Sequence, residues 1–296
     1  MNLNSILTDN PRHEIVPGMS WDDYRGTLAL NPSSIKCADV SMLHVHYALT
    51  GGDDDSPAKQ VGRGTHAALF QAGEFKGMFE PPPLNEKGEY VQRRKNVVAE
   101  AAERGVELLL PADYEKCIVL AERASKIPEL QPFIKKGQAE VSLFTGELGC
   151  QCKGRIDWLS FDPPAIIDLK TASRLSERTF RNDYAKWLYH VSLGLYQRWA
   201  ARLLKVETLP VYLILAETKK PYDVMMAPWI DGELIPLRQA ELDYGVKKGR
   251  KWIAEIKDAI KLGEWPGRAA KGDLDVSLPT WALDDDDEEI EGAEVV

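Results

Sequence analysis

Apolar residues recur along this chain at two spacings. Between residues 150 and 171 they largely alternate with polar ones, the period of an extended strand whose side chains point to opposite faces in turn. Asp162, Pro163 and Pro164 interrupt that run with a turn. Strands are expected at 140–144, 150–161, 165–171, 210–216 and 223–229. In the second of these, Arg155, Asp157 and Leu159 should share one face, with Ile156 and Trp158 on the other. In the third, Asp168 and Lys170 should oppose Ile167 and Leu169. Elsewhere apolar positions recur every three or four residues, which predicts helices over 33–47, 58–71, 91–104, 112–126, 178–204 and 235–261. Val61, Ala68 and Leu69 line the second helix and Gly73 stops it. Trp252, Ile253, Ile256 and Ile260 face inward in the last, and the proline-rich stretch 81–90 reads as a loop. The order is helix, three strands, helix, strand. It defines an α/β (α+β mixed sheet) class, with a central mixed sheet flanked by helices and extra N-terminal helices.

Composition narrows this picture. A chain of 296 residues, 44% hydrophobic, can bury one sizeable core. Without a break in composition, a single domain over 1–283 is expected. No apolar run approaches the ~20 residues that cross a bilayer, and the opening residues lack a signal-peptide layout. A cytoplasmic protein without membrane association follows. Cys37, Cys117, Cys150 and Cys152 are too few and too irregular for a disulfide framework. The net charge of −9 argues against nucleic acid until it is divided. Eight acids fall between Asp284 and Val296, leaving residues 1–283 at −1. Residues 284–296 are therefore expected to be a disordered acidic tail. Basic clusters at Arg93, Arg94 and Lys95, at Lys135 and Lys136, and at Lys247, Lys248, Arg250 and Lys251 could track phosphates. No glycine-rich phosphate loop is present, which argues against ATP-driven activity.

The candidate chemistry lies in GRIDWLS and AIIDLKT, which carry Asp157, Asp168 and Lys170. Paired as antiparallel neighbours, these strands bring two carboxylates together beside an ammonium. Two carboxylates that close resist ionising together unless a cation lies between them. Hard oxygen ligands suit Mg²⁺, with Mn²⁺ as the alternative. Lys170 would then hold or deprotonate a water, or neutralise charge developing on a phosphate. The implied reaction is phosphodiester hydrolysis.

In order and spacing the segments YRGTLALNPSSIK, GRGTHAALF, AEVSLF, GRIDWLS, AIIDLKT and YHVSLGLYQRW resemble the PD-(D/E)xK nuclease superfamily, and within it the RecE-like, exonuclease VIII type of phage and prophage nuclease. The resemblance covers roughly residues 18–265. It implies a restriction-endonuclease-like core over about 58–265. It also implies a metal site formed by His66, Asp157, Asp168 and the Leu169 backbone carbonyl, with Glu140 as a further acid and Lys170 as the catalytic lysine. It places Arg25, Ser33, Ser34 and Tyr196 against DNA phosphates, although Ser33 and Ser34 after Pro32 are also ordinary helix-capping residues. Ser192 stands where the family's helix carries glutamine. The implied activity is a metal-dependent exodeoxyribonuclease that degrades linear duplex ends 5′ to 3′ in recombination, in the cytoplasm of a bacterial host. Implied partners are DNA, a single-strand annealing protein and further copies of the chain. Two alternatives stay open. One is a RecB-like nuclease acting on single strands or flaps, although the iron–sulfur variants of that group need late cysteines and none follows Cys152. The other is a non-catalytic DNA-binding or interaction module.

Overall fold

The strongest alternating segments lie side by side. In a computed structural model, which describes residues 2–52, 56–91, 95–272 and 276, one sheet contains β1 (Glu14–Val16), β2 (Gly137–Glu147), β3 (Cys150–Phe161), β4 (Pro164–Ala172), β5 (Val211–Glu217) and β6 (Val224–Ala227), in spatial order equal to chain order. All neighbours pair antiparallel except β4 and β5. A parallel pair needs a crossover, and here it consists of α7 (Glu177–Lys186) and α8 (Tyr189–Leu204). The β2–β3 hairpin closes through Leu148 (φ 55°) and Gly149 (φ 79°), the left-handed pair that matches strand twist.

The longer or site-forming helices besides these are α1 (Trp21–Gly26), α2 (Pro32–Lys36), α3 (Met42–Leu49), α4 (Pro57–Phe70), α5 (Lys95–Glu103), α6 (Pro111–Ala124) and α9 (Gln239–Leu262), with further single turns at Phe75–Met78 and Gln131–Ile134. The larger core joins Val141, Leu143, Ile156, Leu159, Ile166 and Leu213 of the sheet to Leu195 and Trp199 of α8, Ile253 and Ile256 of α9, and Ile35 and Val45 of α2 and α3. A second core buries Ile167, Leu169 and Ile214 beneath Leu120 of α6. The mixed sheet flanked by helices is as expected. Among the described residues no helix is long and apolar enough to cross a membrane.

Several boundaries differ from the periodicity. The stretch 33–47 is two helices, because Ser41 caps a new one by accepting from the His44 N–H at 3.3 Å. The stretch 178–204 breaks at Leu188, whose φ of 53° lies in the left-handed region. Strand β1 and helix α1 were not anticipated, and β2 runs well beyond 140–144. Cys150 and Cys152 are buried in β3 with free thiols. Arg93, Arg94 and the tail 284–296 lie outside the described residues.

Helices α8 and α9 cross where neither can carry a side chain. A Cβ on Gly194 would collide with the Leu242 carbonyl, and one on Gly245 with the His190 carbonyl. Alanine is favoured over glycine within a helix by about 1 kcal/mol. Overpacking against backbone works the other way, by about 1–3 kcal/mol. Gly245→Ala should therefore lower the unfolding free energy in urea titrations, whereas a stabilised variant would show that the crossing has room to spare.

Candidate functional site

The β3–β4 ladder pairs Phe161 with Pro164, and then successive residues as far as Trp158 with Ile167. Asp157 and Asp168 come next in that register, at the point where the strands part. The Leu169 N–H crosses the opening to Asp157 Oδ2 at 2.9 Å, so a carboxylate takes the place of a strand carbonyl. A strand residue directs its N–H and C=O to the same edge, which aims the Leu169 carbonyl into the same opening. On the other side of β3, Ala139 pairs with Trp158 and Val141 with Ile156. Glu140 lies between them, opposite Asp157, with φ 53°. A non-glycine residue held there carries strain of about 1–3 kcal/mol, a feature that clusters at functional sites.

This distortion corrects the simple alternation expected for β3. Ile156 and Leu159 both enter the larger core, while Trp158 packs on the second one. The strand changes face at Asp157, which period-two reasoning cannot produce. In β4 the alternation holds: Ile167 and Leu169 lie in the second core, and Asp168 and Lys170 point the other way.

Helix α4 brings His66 to the opening. Its Nδ1 lies 2.8 Å from Glu140 Oε1, and its Nε2 lies 3.4 Å from Asp157 Oδ1 without hydrogen-bond geometry. The Phe70 ring meets the imidazole edge-on at 5.0 Å and stacks on Trp158. The second Glu140 oxygen takes the Arg155 guanidinium, which also lies over the rings of Trp21 (5.4 Å) and Tyr24 (5.5 Å). Opposite His66, the Lys170 ammonium pairs with Asp168 Oδ2 and sits 5.1 Å above the Tyr189 ring. Lys36, at the end of α2, donates to the Trp187 carbonyl at 2.9 Å. Tyr196 packs on Gly154, its phenol raised above the usual range by burial and by the negative field of Tyr24, Asp168, Asp157 and Glu140.

Charge in this corner is crowded. Burial first, and then the neighbouring Asp157, push the Asp168 carboxyl up to about 6 against the pull of Lys170. Burial also disfavours ionised Asp157, but His66, Lys170 and the Leu169 N–H outweigh it and hold that carboxyl below the usual range. Glu140 is likewise lowered: burial opposes its charge, and His66 and Arg155 overcome the cost. Burial would neutralise His66, yet Asp157 and Glu140 drive its imidazole up to about 10. Lys170 is held above its ordinary value because the two aspartates outweigh burial, so it is an ammonium in the metal-free site. Lys36 is lowered to about 8, by burial and then by Lys170.

The side chains present fit a hard divalent cation. Asp168 Oδ2 is buried without a hydrogen bond, its partner being the Lys170 charge alone, and His66 Nε2 is similarly orphaned. Among the described residues no three acidic, histidine or cysteine groups already close around one point. Protonated His66 and Lys170 occupy the electrostatic role of an ion, and a cation entering between Asp157 and Asp168 would displace the imidazole proton.

The other expected residues are placed differently. Ser34 is buried, and its hydroxyl closes a capping box with Asn31, donating to the Asn31 carbonyl at 2.9 Å and accepting its N–H at 3.1 Å. That correction removes it from a phosphate-binding role. Ser33 and Arg25 are exposed on α2 and α1. Most of the basic clusters engage acids of the chain itself: Lys136 pairs with Asp162, Lys248 with Asp39, Lys251 with Glu255 and Arg250 with the buried Glu147. Lys36, Arg155 and Tyr189 were not singled out for the site. Arg155 shares a run with Asp157, a usable signal, whereas nothing in the sequence joins Lys36 to Lys170.

A mixed sheet opening over two aspartates and a lysine, D-x-K on one strand and D on its hairpin partner, is the PD-(D/E)xK nuclease fold. Residues 33–275 match the PDDEXK-like domain of unknown function (DUF3799), and the chain belongs to that family. No curated protein sequence matches it. Among solved structures, a candidate exonuclease from Eubacterium rectale aligns over 90% of this chain and 98% of its own, with a TM-score of 0.60 and 16% identity. VC1899 from Vibrio cholerae aligns over 80% of this chain and 58% of its own, at a TM-score of 0.22 and 11% identity.

An imidazole that titrates at about 10 when folded and 6.5 when free stabilises the metal-free fold fully below pH 6.5 and loses that contribution as pH climbs toward 10. In chelator, the unfolding free energy of wild type minus that of His66→Gln should be largest near pH 6.5 and shrink by pH 10. A difference that ignores pH would mean His66 carries no charge.

Proposed function

We propose that this chain is a divalent-metal-dependent DNA exonuclease of the RecE-like type, hydrolysing phosphodiester bonds from duplex ends 5′ to 3′ in phage-type recombination. The observation that carries the reading is the Asp157–Asp168 pair across the opened strands, with the Lys170 ammonium on Asp168. The exonuclease-like neighbour and the sequence resemblance support end-directed action. Polarity, the annealing partner, assembly into oligomers and a bacterial cytoplasmic setting rest on the resemblance, and a single nuclease unit over 1–283 rests on the unbroken composition.

Asp157, Asp168, the Leu169 carbonyl and, less directly, Glu140 and His66 would hold Mg²⁺ or Mn²⁺. The ion when bound supplies Lewis acidity to a phosphoryl oxygen and acidifies a water. Lys170, as an ammonium, would donate to a phosphate oxygen and offset charge as the phosphorane forms, while the proton of the acidified water leaves to solvent. Arg155 fixes Glu140, so that the acid cannot swing away from His66. Tyr189 supplies a ring face beneath Lys170 that restricts where the ammonium can go. Tyr196, Arg25 and Ser33 are assigned outlying contacts to DNA.

A 5′-labelled linear duplex should be degraded with Mg²⁺ or Mn²⁺ and spared in chelator. Lys170→Ala should slow that digestion by roughly 10²–10³-fold and lower the melting temperature of the metal-free protein, because the buried Asp168 loses its charge partner. Asp168→Ala should abolish digestion and raise that melting temperature, since it relieves repulsion from Asp157. Wild type that digests no DNA form with either ion would overturn the reading. Calorimetry of Mn²⁺ binding at pH 7.5 in buffers of different ionisation enthalpy should show release of about one proton, lost in His66→Gln; no release would remove His66 from the ligand set.

A further inference from the structure

Between α7 and α8 the chain turns through Leu188, a non-glycine residue at φ 53°, with no side-chain cap at the start of α8. The turn holds Trp187 outward at 51% exposure, although an indole of that size is normally well covered. Its backbone carbonyl is tied down by Lys36 Nζ at 2.9 Å, and Lys186 Nζ lies 4.7 Å above its ring. Lys36 Nζ is also 6.0 Å from the centre of the Tyr189 ring, which Lys170 Nζ approaches to 5.1 Å. Two ammonium groups thus converge on one phenol beside Asp168. Lys170 is already paired with Asp168, whereas Lys36 donates to a neutral carbonyl and can still attract an anion, and the half-exposed indole lies next to it.

A nucleotide presents both features, a phosphate and a flat base one sugar apart. We propose that the Trp187–Lys36 corner is a nucleotide subsite beside the scissile position: Lys36 contacts a phosphate, and the Trp187 indole stacks on an unpaired base. A base inside a duplex has both faces covered by its neighbours, so the corner selects a single-stranded or frayed end. The identity of the ligand as nucleic acid rests on the nuclease reading, but its binding needs no chemistry.

The full chain in EDTA is titrated against a fluorescein-labelled single-stranded 12-mer and read by anisotropy. Base–aromatic stacking predicts that Trp187→Ala weakens binding by about 5- to 100-fold, with Trp187→Phe retaining most of the affinity. Lys36→Gln should weaken binding and reduce the slope of log K against log salt by about 0.7. Trp229→Ala, another exposed indole outside this corner, should bind as wild type does. Single-strand affinity that survives both Trp187→Ala and Lys36→Gln overturns the subsite and leaves the nuclease reading standing. Wild type that binds the 12-mer through these residues, yet digests no DNA with metal, supports the subsite and sinks the nuclease reading. Wild type that does not bind the oligonucleotide at all overturns the subsite.

Discussion

Three carboxylates, Glu140, Asp157 and Asp168, lie on successive strands at the opening between β2, β3 and β4, and the surrounding structure is organised around keeping them there. Two unit charges about 4 Å apart repel by on the order of 4 kcal/mol at the effective dielectric of such a site. No single contact offsets that. His66 spans Glu140 and Asp157, Arg155 covers the remaining Glu140 oxygen, and Lys170 lies on Asp168. The Leu169 N–H holds Asp157 in place of a strand partner. Each acid has at least one cation or backbone donor beside it, and the cations come from α4, β3 and β4, so the site forms only once those elements have docked.

The scaffold reflects that requirement. Lys153, buried in β3 and lowered to about 8 chiefly by burial, donates to the Tyr24 and Thr27 carbonyls at 2.6 and 2.7 Å. It anchors α1 to the sheet, and α1 carries the Trp21 and Tyr24 rings beneath Arg155. On the opposite side, Gly154 leaves room for Tyr196 and Trp199 of α8 against β3, and the start of that helix sets Tyr189 beneath Lys170. At the far end of β2, Arg198, Arg202 and Arg250 converge on the buried Glu147 from α8 and α9. A buried carboxylate left without partners would be costly, so this cluster fixes the docking of the two helices against the hairpin.

What the sequence disclosed follows from which forces act locally. The Asp168 and Lys170 face was legible because β4 is regular and its two faces meet different environments. The face change at Asp157 was not, since it depends on a left-handed Glu140, and glutamate gives no signal for that conformation. The break at Leu188 is hidden for the same reason: KWLYH contains neither glycine nor proline, and the contacts made there, Lys36 on the Trp187 carbonyl and Leu188 on the larger core, are tertiary. The break before α3 was readable in principle, because Ser41 is an ordinary capping residue followed by an apolar run. His66 drew its assignment from resemblance, and the structure gives it neighbours that spacing alone could not supply.

The charge arithmetic of the site bears on why a chain of net charge −9 suits a polyanion. Around the opening, the acids Glu140, Asp157 and Asp168 face His66, Arg155, Lys170 and Lys36, so this corner is already slightly cationic while the whole molecule is acidic. A divalent ion that displaces the His66 proton adds to that excess. The field that an approaching phosphate meets is set within a Debye length of about 8 Å at physiological salt, not by the distant surface. Local sign therefore outweighs net sign. The same screening confines recognition to groups that nearly touch the strand, which is why an indole and one half-buried lysine at the lip can matter more than surface cations such as Lys136, Lys248 and Arg250, which pair with acids of the chain.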